Sequence, residues 1–125
     1  MKDEFSFLES VDKIIEKDPS YDPQAYLFVM NALNFIVKKA GKRRHVTGKE
    51  LSEGIRLYAI EQFGSMARVV LEHWRVQNTQ DFGNIVFNMI EARLLSKTEE
   101  DSIEDFKDIY DFKEAFDGVV EYKLR

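Results

Sequence analysis

Apolar residues recur every three or four positions through most of the chain, with charged residues between them, which is the period of an amphipathic helix. Phe7, Val11, Ile14 and Ile15 predict a first helix that ends near Asp18-Pro19. In "YDPQAYLFVMNALNFIVKKAG", Asp22 suits an N-cap, Pro23 suits the first turn and Gly41 suits a left-handed stop. Between them Ala25, Phe28, Val29, Ala32, Phe35 and Ile36 form one apolar face. Tyr26, Met30, Leu33 and Val37 form a second. A helix apolar on two faces is expected at the centre of the fold.

Thr47 and Glu50 make a capping box that opens a helix with Leu51, Ile55, Tyr58 and Ala59 inward and Gly64 as its stop. "SMARVVLEHW" places Ala67, Val70, Leu71 and Trp74 at helical spacing. "NTQDFGNIVFNMIEARLL" places Phe82, Ile85, Val86, Met89, Ile90 and Leu94 on one stripe, capped by Asn78 or Thr79. Gly83 falls in the first turn, where it costs less than in mid-helix.

Charge changes the picture at two places. Residues 95–125 hold ten acids and five Lys or Arg, a balance of −5, while 1–94 hold thirteen of each, so the chain's net −5 resides entirely in this segment. It also holds Ile103, Phe106, Ile109, Tyr110, Phe112 and Phe116, too many large apolar groups for a wholly solvated tail. These side chains are expected to lie against the helices with the carboxylates outward. "VVEYKL" at 119–124 suits a short strand or a frayed end. The second place is "KKAGKRRH", where Lys38, Lys39, Lys42, Arg43 and Arg44 crowd the end of the central helix. These cations suit a phosphate-binding patch or a contact for an acidic protein. They suit better still a helix C-terminus, where they offset the macrodipole, and neutralisation by the acidic segment. No aromatic residue interleaves them in sequence, so no stacking platform for single strands is encoded there.

The stretches "YDPQAYLFVMNALNF", "KRRHVTGKEL", "GIRLYAIEQFG", "LEHW", "TQDFGNIVFNMIEARLLSKTEEDS" and "EDFKDIYDF" together resemble a family of small bacterial proteins of unknown function, over roughly residues 21–116. The resemblance implies no activity, cofactor or catalytic residue. The chain departs from that pattern after Trp74, where a glycine is expected and Arg75 stands.

Catalytic and metal chemistry find little support in the pattern. His45 and His73 are the two histidines, 28 residues apart and without HExxH spacing, and a zinc or iron site needs three or four clustered ligands. His45 reads as the solvated end of the basic loop, and His73 as a partly buried residue near a helix end. "DSIEDFKDIYD" lacks the alternation and glycine of a calcium loop. The chain has no GxGxxG, P-loop or GxSxG, and its lack of Cys excludes disulfides, thiolate ligands and a cysteine nucleophile.

With 125 residues, 44% hydrophobic and 33% charged, the chain reads as one domain, 1–125, able to bury a core without staples, with 95–125 packed on the helical body. The expected fold is mainly α, about five helices with an acidic aromatic C-terminal segment and room for a short β-hairpin. The alternative is a winged-helix-like fold built on the helices at 47–63, 65–75 and 79–94, with residues 94–112 as the wing. Its third helix would offer Asn84, Asn88, Glu91 and Arg93, and its wing would be acidic, so a protein partner suits it better than DNA. Neither a signal peptide nor a membrane span is legible, which leads to the expectation of a cytoplasmic protein. The expected function is a non-enzymatic protein-interaction or self-associating module, a homodimer included, with no cofactor, metal or membrane. Nucleic-acid binding through 38–44 is the alternative.

Overall fold

A computed structural model describes residues 2–41 and 45–117; Lys42, Arg43 and Arg44, and the "VVEYKL" stretch, lie outside the described residues. The order is α1 (Lys2–Lys17), α2 (Pro23–Ala40), α3 (Gly48–Phe63), a 3₁₀ turn (Gly64–Met66), α4 (Ala67–His73), α5 (Thr79–Glu91), a second 3₁₀ turn (Ile103–Phe106) and α6 (Phe112–Phe116). The fold is all-α, and no strand occurs among the described residues. Residues 94–112, read above as a candidate wing, are turns, a 3₁₀ turn and irregular backbone instead. Their Ser and Asp side chains favour such turns by bonding nearby backbone N–H groups, as Asp101 does with Thr98 and Ser102 with Glu104.

The caps form as their residue types dictate. Asp22 accepts from Gln24 N–H with Pro23 in the first turn, and Gly41 ends α2 at φ 80° with its N–H on the Lys38 carbonyl. Thr47 and Glu50 close a reciprocal box on α3. Asn78, rather than Thr79, caps α5, with Asp81 as its reciprocal partner. Thr79 is fully buried and accepts from the Ile109 N–H, a tie from α5 to the C-terminal segment. Helix α4 begins later than the pattern suggested, because Gly64, at φ 55° and ψ −129°, turns the chain into a 3₁₀ turn first.

Helix α2 packs against α1, α3 and α5. Ala25, Tyr26, Phe28, Val29 and Ala32 are its buried positions, so its N-terminal half is the central one. Beyond Ala32 its apolar side chains are only half-buried. A Cβ on Gly54 of α3 would collide with Ile36 of α2, so these helices approach as closely as they do because that position is glycine. Phe28, Tyr58, Phe63 and Trp74 form an aromatic cluster across α2, α3 and the end of α4, with neighbouring centroids 5.2–6.0 Å apart.

The C-terminal segment lies over α3, α4 and α5. Phe106 is 4% exposed, and its ring sits where α3 and α5 each present a glycine. A Cβ at Gly48 would come within 3.0 Å of that ring, as would one at Gly83. Phe112 and Phe116 are buried edge to face at 5.2 Å, and the half-buried Tyr110 donates to the Ser52 carbonyl at 2.7 Å. Burial pushes the Tyr110 phenol well above its ordinary range. Ile103, in contrast, is 39% exposed.

Candidate protein-interaction cleft

The later turns of α2, the α5 helix and the chain after α5 line one depression. It is a half-open cleft of about 610 Å³. Met30, Leu33 and Val37, spaced i, i+3 and i+7, give α2's wall. Val86, Phe87 and Ile90 give the α5 wall, and Leu94, Leu95 and Phe106 give the crossing segment's part. Val46 and Leu51 line the end toward α3. The second apolar face of α2 therefore has a use apart from the core: its last two turns border open space.

Polar groups contribute at least as much of the exposed lining as these apolar side chains. Asn34, Ser96, Ser102 and Asp105 stand at the cleft's edge, with His45 and Asp101. His45 Nε2 donates to Asp101 Oδ1 at 2.9 Å and so joins the loop after α2 to the acidic segment. Asp101 Oδ2 accepts the Thr98 N–H at 2.8 Å. Partial burial pushes the Asp101 carboxyl up, but these two donors outweigh it and hold the group below its usual range. Residues 99–105 carry five carboxylates and no cation of their own. Glu99, Glu100, Glu104 and Asp105 of this stretch are exposed.

The basic cluster is placed in part. Lys38 and Lys39 are exposed in the last turn of α2. The Lys39 ammonium lies 5.2 Å from the Phe35 ring centroid, and Phe35 packs on Tyr58 at 5.0 Å. Sequence order hid this: Phe35 is one turn from Lys39 along the helix, and Tyr58 reaches it from another helix. Lys42, Arg43 and Arg44 lie outside the described residues.

Two of the four positions offered for reading DNA bases, Asn84 and Asn88, are otherwise employed, while Glu91 is exposed. Asn84 donates to the Tyr21 hydroxyl at 2.8 Å. Asn88 donates to Asp18 Oδ2 and to the Tyr26 hydroxyl, both at 3.0 Å. Tyr21 in turn donates to Asp81 at 2.5 Å, and burial followed by this carboxylate raises its pKa. This face of α5 is turned into the structure, because the turn between α1 and α2 and the start of α2 lie on it. Arg93 is exposed beyond the helix end.

His73 is exposed at the end of α4 rather than partly buried, since Trp74 takes the inward place beside Phe28 and Phe63. Among the described residues no three or more His, Asp or Glu side chains gather as metal ligands. No helix among them is long and apolar enough to cross a membrane. No family model matches the chain, and no curated protein or solved structure matches it either.

Proposed function

We propose that the protein is a non-enzymatic interaction module whose contact surface is the cleft between α2, α5 and residues 94–106. One observation carries this reading: half-buried aliphatic and aromatic side chains from three elements converge on a half-open space of about 610 Å³. That volume falls within the roughly 300–1,000 Å³ of ordinary binding clefts. The C-terminal acidic segment serves as one rim, which gives its unusual composition of aromatic anchors and outward carboxylates a purpose. The test is methyl chemical-shift mapping with helical peptides of either charge. Movement of the Leu33, Ile90, Leu94 and Leu95 methyls, lost in Leu33→Asp, supports the reading. Unchanged methyls across the whole panel, together with a monomer at all concentrations, would sink it.

A second reading is nucleic-acid binding through Lys38, Lys39, Lys42, Arg43 and Arg44. The exposed Lys38 and Lys39, with the Phe35 ring beside Lys39, favour it. Fluorescence anisotropy of duplex DNA and single-stranded RNA at two salt concentrations decides it. Binding that weakens with salt and vanishes on changing Lys42, Arg43 and Arg44 to Ala supports this reading. Its absence at low salt retires it.

A further inference from the structure

We infer that the cleft's occupant is a basic amphipathic helix, with an apolar stripe facing the floor and Lys or Arg on the flank beside residues 99–105. The inference rests on the reading of the cleft as the contact surface and adds the chemistry of its partner.

The shape selects a helix. The two long walls are themselves helices, with Leu33 and Val37 on one side and Phe87 and Ile90 on the other. Side chains projecting from two helices interdigitate with the i, i+3, i+4, i+7 ridge of a third. An extended peptide would need a strand edge for its backbone hydrogen bonds, and no strand exists among the described residues.

The charge selects a basic flank. Five carboxylates occupy residues 99–105 without a cation among them, and two of them, Asp101 and Asp105, line the cleft directly. Asp105 Oδ2 and Asp101 Oδ2 accept backbone N–H groups, which fixes both carboxylates at the rim and spares a partner the cost of ordering them. Glu99, Glu100 and Glu104 are exposed beside them, within reach of a cation on a docked helix. A helix with acidic flanks would place like charges against this rim, and opposite flanks separate right from wrong partners more than they add raw affinity. The second copy of the chain is the rival occupant, since its own Lys38 and Lys39 could face this rim about a two-fold axis.

The experiment uses two labelled helical peptides with the same leucine stripe, one flanked by Lys and one by Glu, titrated into the full chain at low and high salt. The Lys-flanked peptide should bind about tenfold or more tightly than its twin at low salt, and the gap should narrow at high salt. Glu99→Lys, Glu100→Lys and Glu104→Lys together change exposed side chains and leave the fold intact; the preference should then reverse. Equal or tighter binding of the Glu-flanked peptide, with the cleft methyls still moving, overturns the basic-partner inference and leaves the cleft reading standing. A dimer by sedimentation that dissociates in Leu33→Asp and excludes both peptides makes the second copy the occupant and overturns it too. Failure of both peptides, without self-association, overturns the cleft reading itself.

Discussion

Two arginines stand where helices usually end in glycine. Arg75 and Arg93 have φ 68° and 66°. Each closes a Schellman turn: Val76 N–H reaches the Leu71 carbonyl after α4, and Leu94 N–H reaches the Met89 carbonyl after α5. A residue with a Cβ loses about 1–2 kcal/mol in this conformation. Arg75 offsets that cost by donating from Nε to the Ser20 carbonyl at 2.9 Å and from a terminal guanidinium nitrogen to the Pro19 carbonyl. Arg93→Gly should therefore stabilise the protein by about 1 kcal/mol, while Arg75→Gly should gain less or lose, as read by urea denaturation of both. Asp18 is the other informative residue. The Ser20 hydroxyl and the Asn88 amide hold its carboxyl below the usual range, against a smaller opposing effect of burial. A folded pKa below the unfolded one contributes stability above the unfolded value of about 3.9, and that stability disappears as pH falls through the folded pKa. Asp18→Asn should lower stability at neutral pH and flatten its dependence below about pH 4, measured by denaturant midpoints as pH falls.

At the scale of elements, the C-terminal segment is fastened by a few aromatic side chains in sites that the helices leave for them. Phe106→Ala removes the ring that Gly48 and Gly83 accommodate and should cost about 3–5 kcal/mol, a large share of the stability of a domain this size. Gly83→Ala should cost about 1–3 kcal/mol, since the added methyl meets Phe106 at 3.0 Å and the ring cannot retreat far between two helices. Thermal unfolding of the two variants checks both values. The double variant should lose less than the sum, because the methyl added by Gly83→Ala would enter space vacated by the ring. Pattern alone made these positions hard to weigh. Gly83 reads from sequence as a tolerated first-turn glycine, and nothing local shows that a ring from 23 residues away rests on it. The helices themselves, with the caps at Asp22, Gly41, Thr47 and Gly64, were legible because each depends on residues within a turn of one another.

Across the whole molecule, three tyrosines bind the fold together through their hydroxyls. Tyr21 and Tyr26 join the start of α2 to α5, and Tyr110 joins the C-terminal segment to α3. Burial is the largest cause of the raised pKa of each. A raised folded pKa favours the native state below the unfolded value of about 10 and loses that advantage as pH rises beyond it. Of the five tyrosines, at least these three should ionise only with unfolding. A spectrophotometric titration should show a late, cooperative step coincident with loss of helical circular dichroism; early, independent ionisation of all five would contradict it.

The helices, their caps, the apolar stripes and the segregation of negative charge into residues 95–125 were all legible in the chain, because they follow from short-range spacing and from counting. Which of those features meet one another came from the tertiary arrangement. That arrangement divided α2's apolar surface between a buried N-terminal half and a half-buried stretch that borders the cleft. It turned the asparagines of α5 toward buried tyrosines, and it brought His45 to Asp101 across 56 residues. Periodicity reports that a face is apolar, but which apolar faces meet one another and which meet solvent depends on the arrangement of all the helices at once.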